Sequence, residues 1–280
     1  MGLETTVRRD RSMSLNTEQL PTNYVPGKSI LSKQQQQQYE VNGYLLASGL
    51  IPDTVAEKAE KSMWELMEMD PDDPQTWSNV PTTADHEKSR NIVIYNGIKT
   101  PELLACATSE YIQATAELIN LPTGDMHPPQ AIHTQNLFPA KKTWQWPTAH
   151  VDGIPKEHMH LTFPGPYRIA SLVFLSDVEK FGGGTIVWPG SHRRIRELAE
   201  SDPEKYAYLY DLNKDIPSLN LGDPIELLPK RGDILFFQHL FGHNGSLNVS
   251  QSPRLLMRYF CACNDCKRWK KTDEWNHWTP

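Results

Sequence analysis

The order of hydrophobic and polar positions divides the chain into a first part with helical spacing and a later part rich in strands. From about residue 130 onward, short apolar runs alternate with glycine and proline, which is typical of a β-sandwich or barrel. The predicted strands are 130–138, 144–151, 169–175, 184–188, 225–228, 233–239 and 254–262. A modest helical insert is predicted between them, from Ser201 to about Leu212. We therefore expect a mainly β core with flanking helices.

Two amphipathic helices are predicted before these strands. One covers residues 53–69, where Asp53 or Thr54 can cap the first turn and apolar residues recur three and four positions apart. The pair Thr100-Pro101 provides a cap and a first-turn proline for a second helix over 100–119. Each helix has one apolar face, so both are expected to pack on a sheet.

The N-terminal residues differ in composition from the rest of the chain. Residues 1–33 are polar with scattered charges, and a glutamine run follows at Gln34–Gln38. Low hydrophobicity predicts a flexible arm or a helical lead-in. A single folded domain is expected over 34–280, and the N-myristoylation pattern of the first six residues is interpreted as a chance match.

Composition limits the classes of function. A chain of 280 residues with 38% hydrophobic content can bury one substantial core. The formal charge of −6 provides no basic field for nucleic acid, so a nucleic-acid partner is not expected. The sequence contains no apolar run of membrane-spanning length and no secretory signal pattern, which favours a cytoplasmic protein with no membrane span.

The triplet His150-Val151-Asp152 is the main candidate for chemistry. In a strand, alternate side chains share a face, so His150 and Asp152 can reach one metal ion. Two imidazoles and one carboxylate form a facial triad that leaves positions open on Fe(II). The triplet alone is a weak motif, and a third ligand must come from a distant strand. His239 and His243, at the end of one apolar run, are the candidates.

Three blocks together resemble the phytanoyl-CoA dioxygenase family. In the first block, a Gly232-Asp233 turn leads into a strand that ends near His243, and Arg254 follows eleven residues later, since 254 minus 243 is 11. The second block is the glycine-rich strand that runs into Pro189-Gly190-Ser191-His192. The third block, Tyr39–Leu46, is similar to the opening strand of the family. Together these motifs span residues 39 to 260.

The resemblance implies a double-stranded β-helix, the jelly-roll fold of cupins, together with Fe(II), 2-oxoglutarate and O2. It selects His243 over His239, because the spacing from His239 to Arg254 would be fifteen. It assigns Arg254 to the far carboxylate of 2-oxoglutarate, which suits the two parallel donors of a guanidinium. Related iron halogenases have a small residue in place of the carboxylate, so Asp152 argues against halogenation.

Weaker candidates surround these residues. Thr185 and Gln135 fall where relatives place polar contacts to 2-oxoglutarate, whereas Asn136 points to the other face of its strand. Ser246 is a further polar neighbour, but Gly245 stands where relatives often have serine. The candidates for the substrate cavity are His133, Trp144, Trp146 and His158, and His158 and His160 could instead belong to a lid or a solvated loop.

The sequence therefore predicts a dioxygenase that hydroxylates an unactivated C–H bond of a small organic metabolite, as in natural-product biosynthesis. Desaturation, ring closure or epoxidation by the same oxidant stay open, as do a protein or peptide hydroxylase and a non-catalytic cupin-like binding protein. The partner is expected to be a small molecule, and a homodimer is one candidate assembly. The four cysteines, Cys106, Cys261, Cys263 and Cys266, are expected to be reduced thiols.

Overall fold

The computed structural model describes residues 29–259 and the backbone of residues 262 and 263. The myristoylation pattern and most of the predicted N-terminal arm lie outside the described residues, as do the side chains of Cys261, Cys263 and Cys266. Cys106 is a buried free thiol whose pKa is raised to about 12 by burial. In the described part of the chain, no helix has both the length and the apolar character needed to cross a membrane.

The described residues form twelve strands and six α-helices. The strands are β1 (Tyr44–Ala47), β2 (Asp85–Glu87), β3 (Ile92–Ile98), β4 (Met126–His127), β5 (Ile132–Leu137), β6 (Ile169–Phe174), β7 (Thr185–Val187), β8 (Ile225–Glu226), β9 (Ile234–Gln238), β10 (His243–Gly245), β11 (Leu256–Tyr259) and β12 (Ala262–Cys263). The helices are α1 (Lys33–Asn42), α2 (Asp53–Met67), α3 (Pro101–Leu104), α4 (Ser109–Leu118), α5 (Ser191–Ser201) and α6 (Leu209–Asp215).

Two antiparallel sheets carry the core, as the sequence predicted. The larger has seven strands in the order β1-β9-β6-β11-β5-β3-β2, and the smaller has the order β10-β7-β8. Leu235 and Phe237 of β9 pack between the sheets in one cluster with Val187 of β7. The double-stranded β-helix is confirmed, and the separate pair β12-β4 adds a small third sheet.

The larger sheet is covered on both faces. Ile234 and Phe236 alternate with Leu235 and Phe237 along β9, and they pack in a second cluster with residues of α2 and α4. A strand with both faces covered has an unbroken apolar run instead of an alternating pattern. The run in 233–239 is therefore explained by helices on one face and the smaller sheet on the other.

Helix α2 confirms the first predicted helix, with a correction at its start. The residue before the helix is Pro52, and no side chain caps the first turn, so neither Asp53 nor Thr54 has the predicted role. Asp53 is the first residue of the helix instead, and Thr54 is the second. The buried face, which includes Ala59, Met63 and Met67, follows the predicted spacing.

The second predicted helix is interrupted. Pro101 starts α3 as predicted, but α3 ends at Leu104 and α4 starts at Ser109. Thr108 separates them because its hydroxyl accepts from the amide of Tyr111 and donates to the carbonyl of Leu50. The apolar spacing continues across this break, so the pattern alone suggested one helix.

The first half of the predicted opening strand is helical, so the prediction is wrong there. Tyr39 to Asn42 belong to α1, and the strand begins only at Tyr44. A capping box between Ser32 and Gln35 starts α1, and Gly43 ends it with a φ of 81°. The capping box and the terminal glycine therefore favour a helix over the strand that the opening-strand motif predicted.

Packing begins before the predicted domain start at residue 34. Leu31 is buried, and the amides of Ile30 and Leu31 donate to the carboxylate of Glu117 on α4. The Ser29 hydroxyl donates to the same carboxylate. The described residues just before α1 are therefore held on the domain by one acidic side chain.

The predicted insert over 201–212 is also wrong. Ser201 ends α5, which was not predicted, and α6 begins only at Leu209. Helix α5 has a narrow apolar stripe that includes Ile195 and Ala199, between charged residues. A short stripe of this kind is a weak signal, since charged residues dominate the average.

Candidate metal centre

His150 and His243 lie directly opposite each other in an isolated antiparallel bridge. Their backbones exchange two hydrogen bonds, with N···O distances of 3.1 Å and 3.0 Å. Opposed residues of an antiparallel pair direct their side chains to the same face. The two imidazole rings accordingly lie 4.9 Å apart between centroids.

Contacts around the ring set the orientation of His243. Its Nδ1 lies 2.9 Å from the carbonyl oxygen of Phe241, so this nitrogen donates and Nε2 keeps its lone pair. The rings of Phe237 and Phe241 pack against the imidazole. Nε2 is 3.7 Å from Oδ1 of Asp152, which is close enough for one metal ion to contact both atoms.

Asp152 reaches this point without a strand. The predicted strand 144–151 is wrong, because only His150 forms a bridge and the chain after it is irregular. Asn213 of α6 binds the backbone on both sides of Val151, accepting from its amide and donating to its carbonyl. Helix α6 thus replaces a neighbouring strand in positioning Asp152.

Two further side chains hold the carboxylate of Asp152. Nη2 of Arg258 donates to Oδ1 at 2.6 Å, and the Tyr167 hydroxyl donates to Oδ2 at 3.0 Å. Sequence reasoning missed both residues. Arg258 had a signal, because it shares a strand face with Arg254 at a spacing of four. Tyr167 had none, since it precedes β6 in an irregular segment.

The three donor atoms of His150, Asp152 and His243 lie within 4.8 Å of one another. Burial lowers the pKa of His150 to about 3, so the ring is neutral and can donate to a metal. Burial alone would raise the pKa of Asp152, but the Arg258 guanidinium holds it well below its usual range. Two imidazoles and one carboxylate fit Fe(II).

Arg254 is a buried cation beside this group. Its Nη1 donates to the carbonyl of Gly183 at 2.7 Å, and its Nη2 donates to the carbonyl of Gln135 at 3.2 Å. Within the described residues, Nε has no hydrogen-bond partner and no carboxylate forms an ion pair with the guanidinium. Burial lowers the pKa of Arg254 to about 9, so it stays charged at neutral pH. An anion bound here would neutralise it.

The two residues predicted to contact 2-oxoglutarate, Thr185 and Gln135, both lie near Arg254. Thr185 is buried on β7 and pairs with Gly245, and a Cβ at Gly245 would lie 3.7 Å from Nη1 of Arg254. Gln135 reaches Arg254 through its backbone, while its side-chain nitrogen is 3.3 Å from Nε2 of His133. Ser246 is buried one residue farther along the chain.

His133 lies on β5 directly opposite Arg258 of β11. Its Nδ1 bonds to the side-chain oxygen of Asn96. Burial, followed by the charge of Arg258, lowers the pKa of His133 to about 4. The ring is therefore neutral at physiological pH, and it borders Arg258 on the inner face of the larger sheet.

The other predicted cavity residues lie elsewhere. Trp144 packs with the cluster on the outer side of the smaller sheet, and its ring contacts Trp146 and Phe181. Trp146 is 53% exposed. His158 is exposed in the loop after Asp152, where its ring contacts His160. His133 thus lies opposite Arg258, whose guanidinium binds Asp152, whereas Trp144 packs against the outer cluster and against Trp146.

His239 is separate from the triad. It is buried, and its Nε2 lies 2.8 Å from the carbonyl oxygen of Thr162. Burial lowers its pKa to about 4. The group of possible metal ligands contains His243 and not His239, in line with the spacing to Arg254.

A family model for phytanoyl-CoA dioxygenase (PhyH) matches residues 39–256, which is most of the chain. The chain belongs to the phytanoyl-CoA dioxygenase family. It is therefore an Fe(II)/2-oxoglutarate-dependent oxygenase, and the cofactors that the resemblance implied are those of its family. No curated protein matches the sequence.

Several solved structures share the fold at low sequence identity. The carbocyclase SnoK from nogalamycin biosynthesis has a TM-score of 0.59 and 16% identity, and the match covers 83% of this chain and 84% of SnoK. EctD from S. alaskensis with bound Fe has a TM-score of 0.56 and 17% identity, covering 88% and 81%. HygX from Streptomyces hygroscopicus, with nickel and 2-oxoglutarate bound, has a TM-score of 0.51 and 15% identity, covering 84% and 88%.

Proposed function

We propose that this oxygenase hydroxylates an unactivated C–H bond of a small organic metabolite. The observation that carries the proposal is the convergence of His150, Asp152 and His243 within 4.8 Å, with the buried cation Arg254 nearby. A structural histidine pair would need no anion anchor. A non-catalytic binding protein would not need three ligands that leave positions open on the metal.

Each residue has a defined role in this proposal. His150, Asp152 and His243 hold Fe(II), and Arg254 binds the far carboxylate of 2-oxoglutarate. The buried hydroxyl of Thr185 faces the same region, whereas Gln135 contributes mainly by fixing the guanidinium through its carbonyl. Arg254 is thus held by the protein through two donors, and its Nε has no hydrogen-bond partner among the described residues.

When bound, Fe(II) and 2-oxoglutarate activate O2 and supply the oxidant that removes a substrate hydrogen. The protein itself binds, orients and excludes water, because regioselectivity depends on which C–H bond is held next to the metal. Phe237 and Phe241 provide an apolar wall beside His243. No side chain is required as a nucleophile or a general base.

The side chains near the triad and one related structure support the substrate class. His133 lies on the inner face near the triad, and the space there is bounded by side chains from the larger sheet. SnoK acts in the biosynthesis of a natural product, which supports a metabolite of that kind here. Ring closure, which the name carbocyclase indicates for SnoK, is the second candidate outcome.

An anaerobic titration with Fe(II) and 2-oxoglutarate tests the proposal. We expect a weak visible charge-transfer band at ~500 nm, since a chelating 2-oxo acid can occupy two of the open positions on the metal. His243→Ala should lose the band, while His127→Ala, at an exposed histidine of β4, should retain it. A wild-type protein that gives no band would contradict the proposal.

Once the band is established, candidate substrates can be screened by succinate release. Product masses then separate the possible outcomes. A gain of one oxygen atom indicates hydroxylation or epoxidation, and a loss of two hydrogen atoms indicates desaturation or ring closure. Succinate release that is unaffected by every small metabolite but stimulated by a peptide would favour a peptide hydroxylase.

A further inference from the structure

The carboxylate of Asp152 is held at both of its oxygens. Oδ1 accepts from Nη2 of Arg258 at 2.6 Å and lies 3.7 Å from Nε2 of His243, so it is directed toward the candidate ligand His243. Oδ2 accepts from the hydroxyl of Tyr167 at 3.0 Å. Each carboxylate oxygen has two lone pairs, so Oδ1 can bind Arg258 and still offer a lone pair to a metal ion. The carboxylate therefore directs one oxygen toward the metal position and the other toward Tyr167.

Packing fixes the position of Tyr167. This residue lies just before β6, and its ring packs edge-on against His239 with the ring centroids 5.7 Å apart. His239 is buried, and its Nε2 lies 2.8 Å from the carbonyl oxygen of Thr162. Gly165 allows the backbone to lie against the same imidazole, because a Cβ at this position would overlap the ring. The segment 162–167 is thus packed on His239, which holds the Tyr167 hydroxyl at Asp152.

The number of oxygens that Asp152 offers decides how many positions stay open on the metal. A carboxylate can bind a metal ion through one oxygen or through both. With one oxygen from Asp152, the three protein ligands leave three of six octahedral positions open. A chelating 2-oxo acid takes two of these and leaves one for O2. With both oxygens from Asp152, the same chelate would fill the last two positions and none would remain.

We infer that Tyr167 is a positioning residue that keeps Asp152 bound to the metal through a single oxygen. Binding through both oxygens requires the carboxylate to turn Oδ2 toward the metal, which breaks the hydrogen bond from Tyr167. Hydrogen bonds to the ligands of a metal ion commonly set their orientation, and here the bond fixes which oxygen is offered. The inference rests on the proposed function, because it takes Asp152 as a metal ligand.

The experiment counts the water molecules on bound Mn2+ and involves no turnover. Mn2+ binds oxygen and nitrogen ligands as Fe(II) does, and each exchanging water on it speeds the longitudinal relaxation of the solvent protons. Relaxation is measured at saturating Mn2+, before and after saturation with 2-oxoglutarate. Wild-type protein should hold three waters and then one, so the contribution of bound water should fall to about one third.

Tyr167→Phe removes the hydroxyl and keeps the ring that packs on His239. Its bound water should contribute about two thirds of the wild-type value before 2-oxoglutarate is added, because Oδ2 replaces one water. After saturation with 2-oxoglutarate, the contribution should be lost. Tyr167→Met also lacks the donor and should give the same result, which keeps the test available if Tyr167→Phe does not fold.

Tyr95→Phe is the matched control. It also removes a tyrosine hydroxyl, one that donates to the carbonyl of Leu66, and its ring packs in the cluster on the helix-covered face of the larger sheet. This variant should have the same relaxation as wild type with and without 2-oxoglutarate. A loss of water that is confined to the Tyr167 variants is therefore not a general effect of removing a buried hydroxyl.

The outcomes distinguish this inference from the proposed function. If wild type binds no Mn2+, or if 2-oxoglutarate displaces no water from it, the proposed function fails and the inference fails with it. If 2-oxoglutarate displaces water from wild type and the Tyr167 variants hold as many waters as wild type in both states, only the inference is overturned. One water fewer in these variants in both states supports it.

Discussion

At the scale of single residues, the planar fork of Arg254 holds two backbone carbonyls and, in the proposed function, also binds the far carboxylate of 2-oxoglutarate. Two of its nitrogens hold the backbone carbonyls of Gly183 and Gln135, and the third has no partner within the described residues. Lysine has one nitrogen on a flexible stem and cannot reproduce this geometry. Charge conservation alone is therefore not enough at this position.

We predict that Arg254→Lys weakens 2-oxoglutarate binding about 10-fold to 100-fold, because one charge-assisted hydrogen bond worth about 1.5–3 kcal/mol is lost. Titration of the Fe(II) protein with 2-oxoglutarate, followed through the visible band, measures this change. Arg231→Lys, at the exposed ion pair with Glu60, is the matched control. An unchanged affinity in Arg254→Lys would exclude Arg254 as the anchor.

At the scale of elements, the approach to β7 decides where Arg254 can lie. Gly183 has a φ of 81°, and a Cβ there would lie 2.3 Å from Cδ2 of Leu137. Its carbonyl accepts the hydrogen bond from Arg254. Glycine is needed here for the close approach of the backbone to β5, as well as for its conformation.

We predict that Gly183→Ala lowers the free energy of unfolding by about 1–3 kcal/mol more than Gly49→Ala, as overpacking usually does. Gly49 is the matched control because its φ is 77° and nothing lies within 4 Å of the position of its Cβ. Both variants have the same backbone strain, so the difference isolates the steric clash. Urea unfolding provides the measurement.

The same pair of variants reports on the site. Displacement of Gly183 moves the carbonyl that fixes Arg254, so Gly183→Ala should also bind 2-oxoglutarate more weakly, whereas Gly49→Ala should bind it normally. If Gly183→Ala loses stability and keeps full 2-oxoglutarate affinity, the carbonyl of Gly183 does not position the Arg254 guanidinium.

At the scale of the whole molecule, several buried histidines link stability to pH. Burial lowers the pKa of His133, His192 and His239 to about 4 and that of His150 to about 3. In an unfolded chain, each ring would take up a proton near pH 6.5. Since the folded pKa lies below the unfolded one, this stabilisation is complete above about pH 6.5 and is lost as the pH falls toward 4.

We therefore predict that the metal-free protein becomes less stable between pH 7 and pH 5, by about 1–2 kcal/mol for each of these histidines. Urea unfolding at intervals of pH measures the decline. His239→Gln keeps a donor for the carbonyl of Thr162 and removes one titrating ring, so its decline should be smaller by about one such step. A free energy of unfolding that is constant over this range would contradict the prediction.

Much of the fold could be predicted because its signals are local. The apolar runs of β6 and β9 and the spacing of α2 depend on residues that are close in sequence. The candidate metal ligands were predictable for a related reason, since the chemistry of two histidines and a carboxylate is visible in residue types. His243 and Arg254 are close in sequence, and only the short strand β10 and the loop 246–253 connect them, so their spacing is visible in the sequence.

What the sequence by itself determined is therefore the class of fold, the family and the set of candidate ligand residues. Only the tertiary structure decided that Tyr39 lies in a helix, that Trp144 packs against the outer side of the smaller sheet and that Asn213 holds the chain before Asp152. It also brought Arg258 to Asp152, across 106 positions of sequence. The physical reason is that these contacts join distant segments, where no local periodicity records which residues will meet.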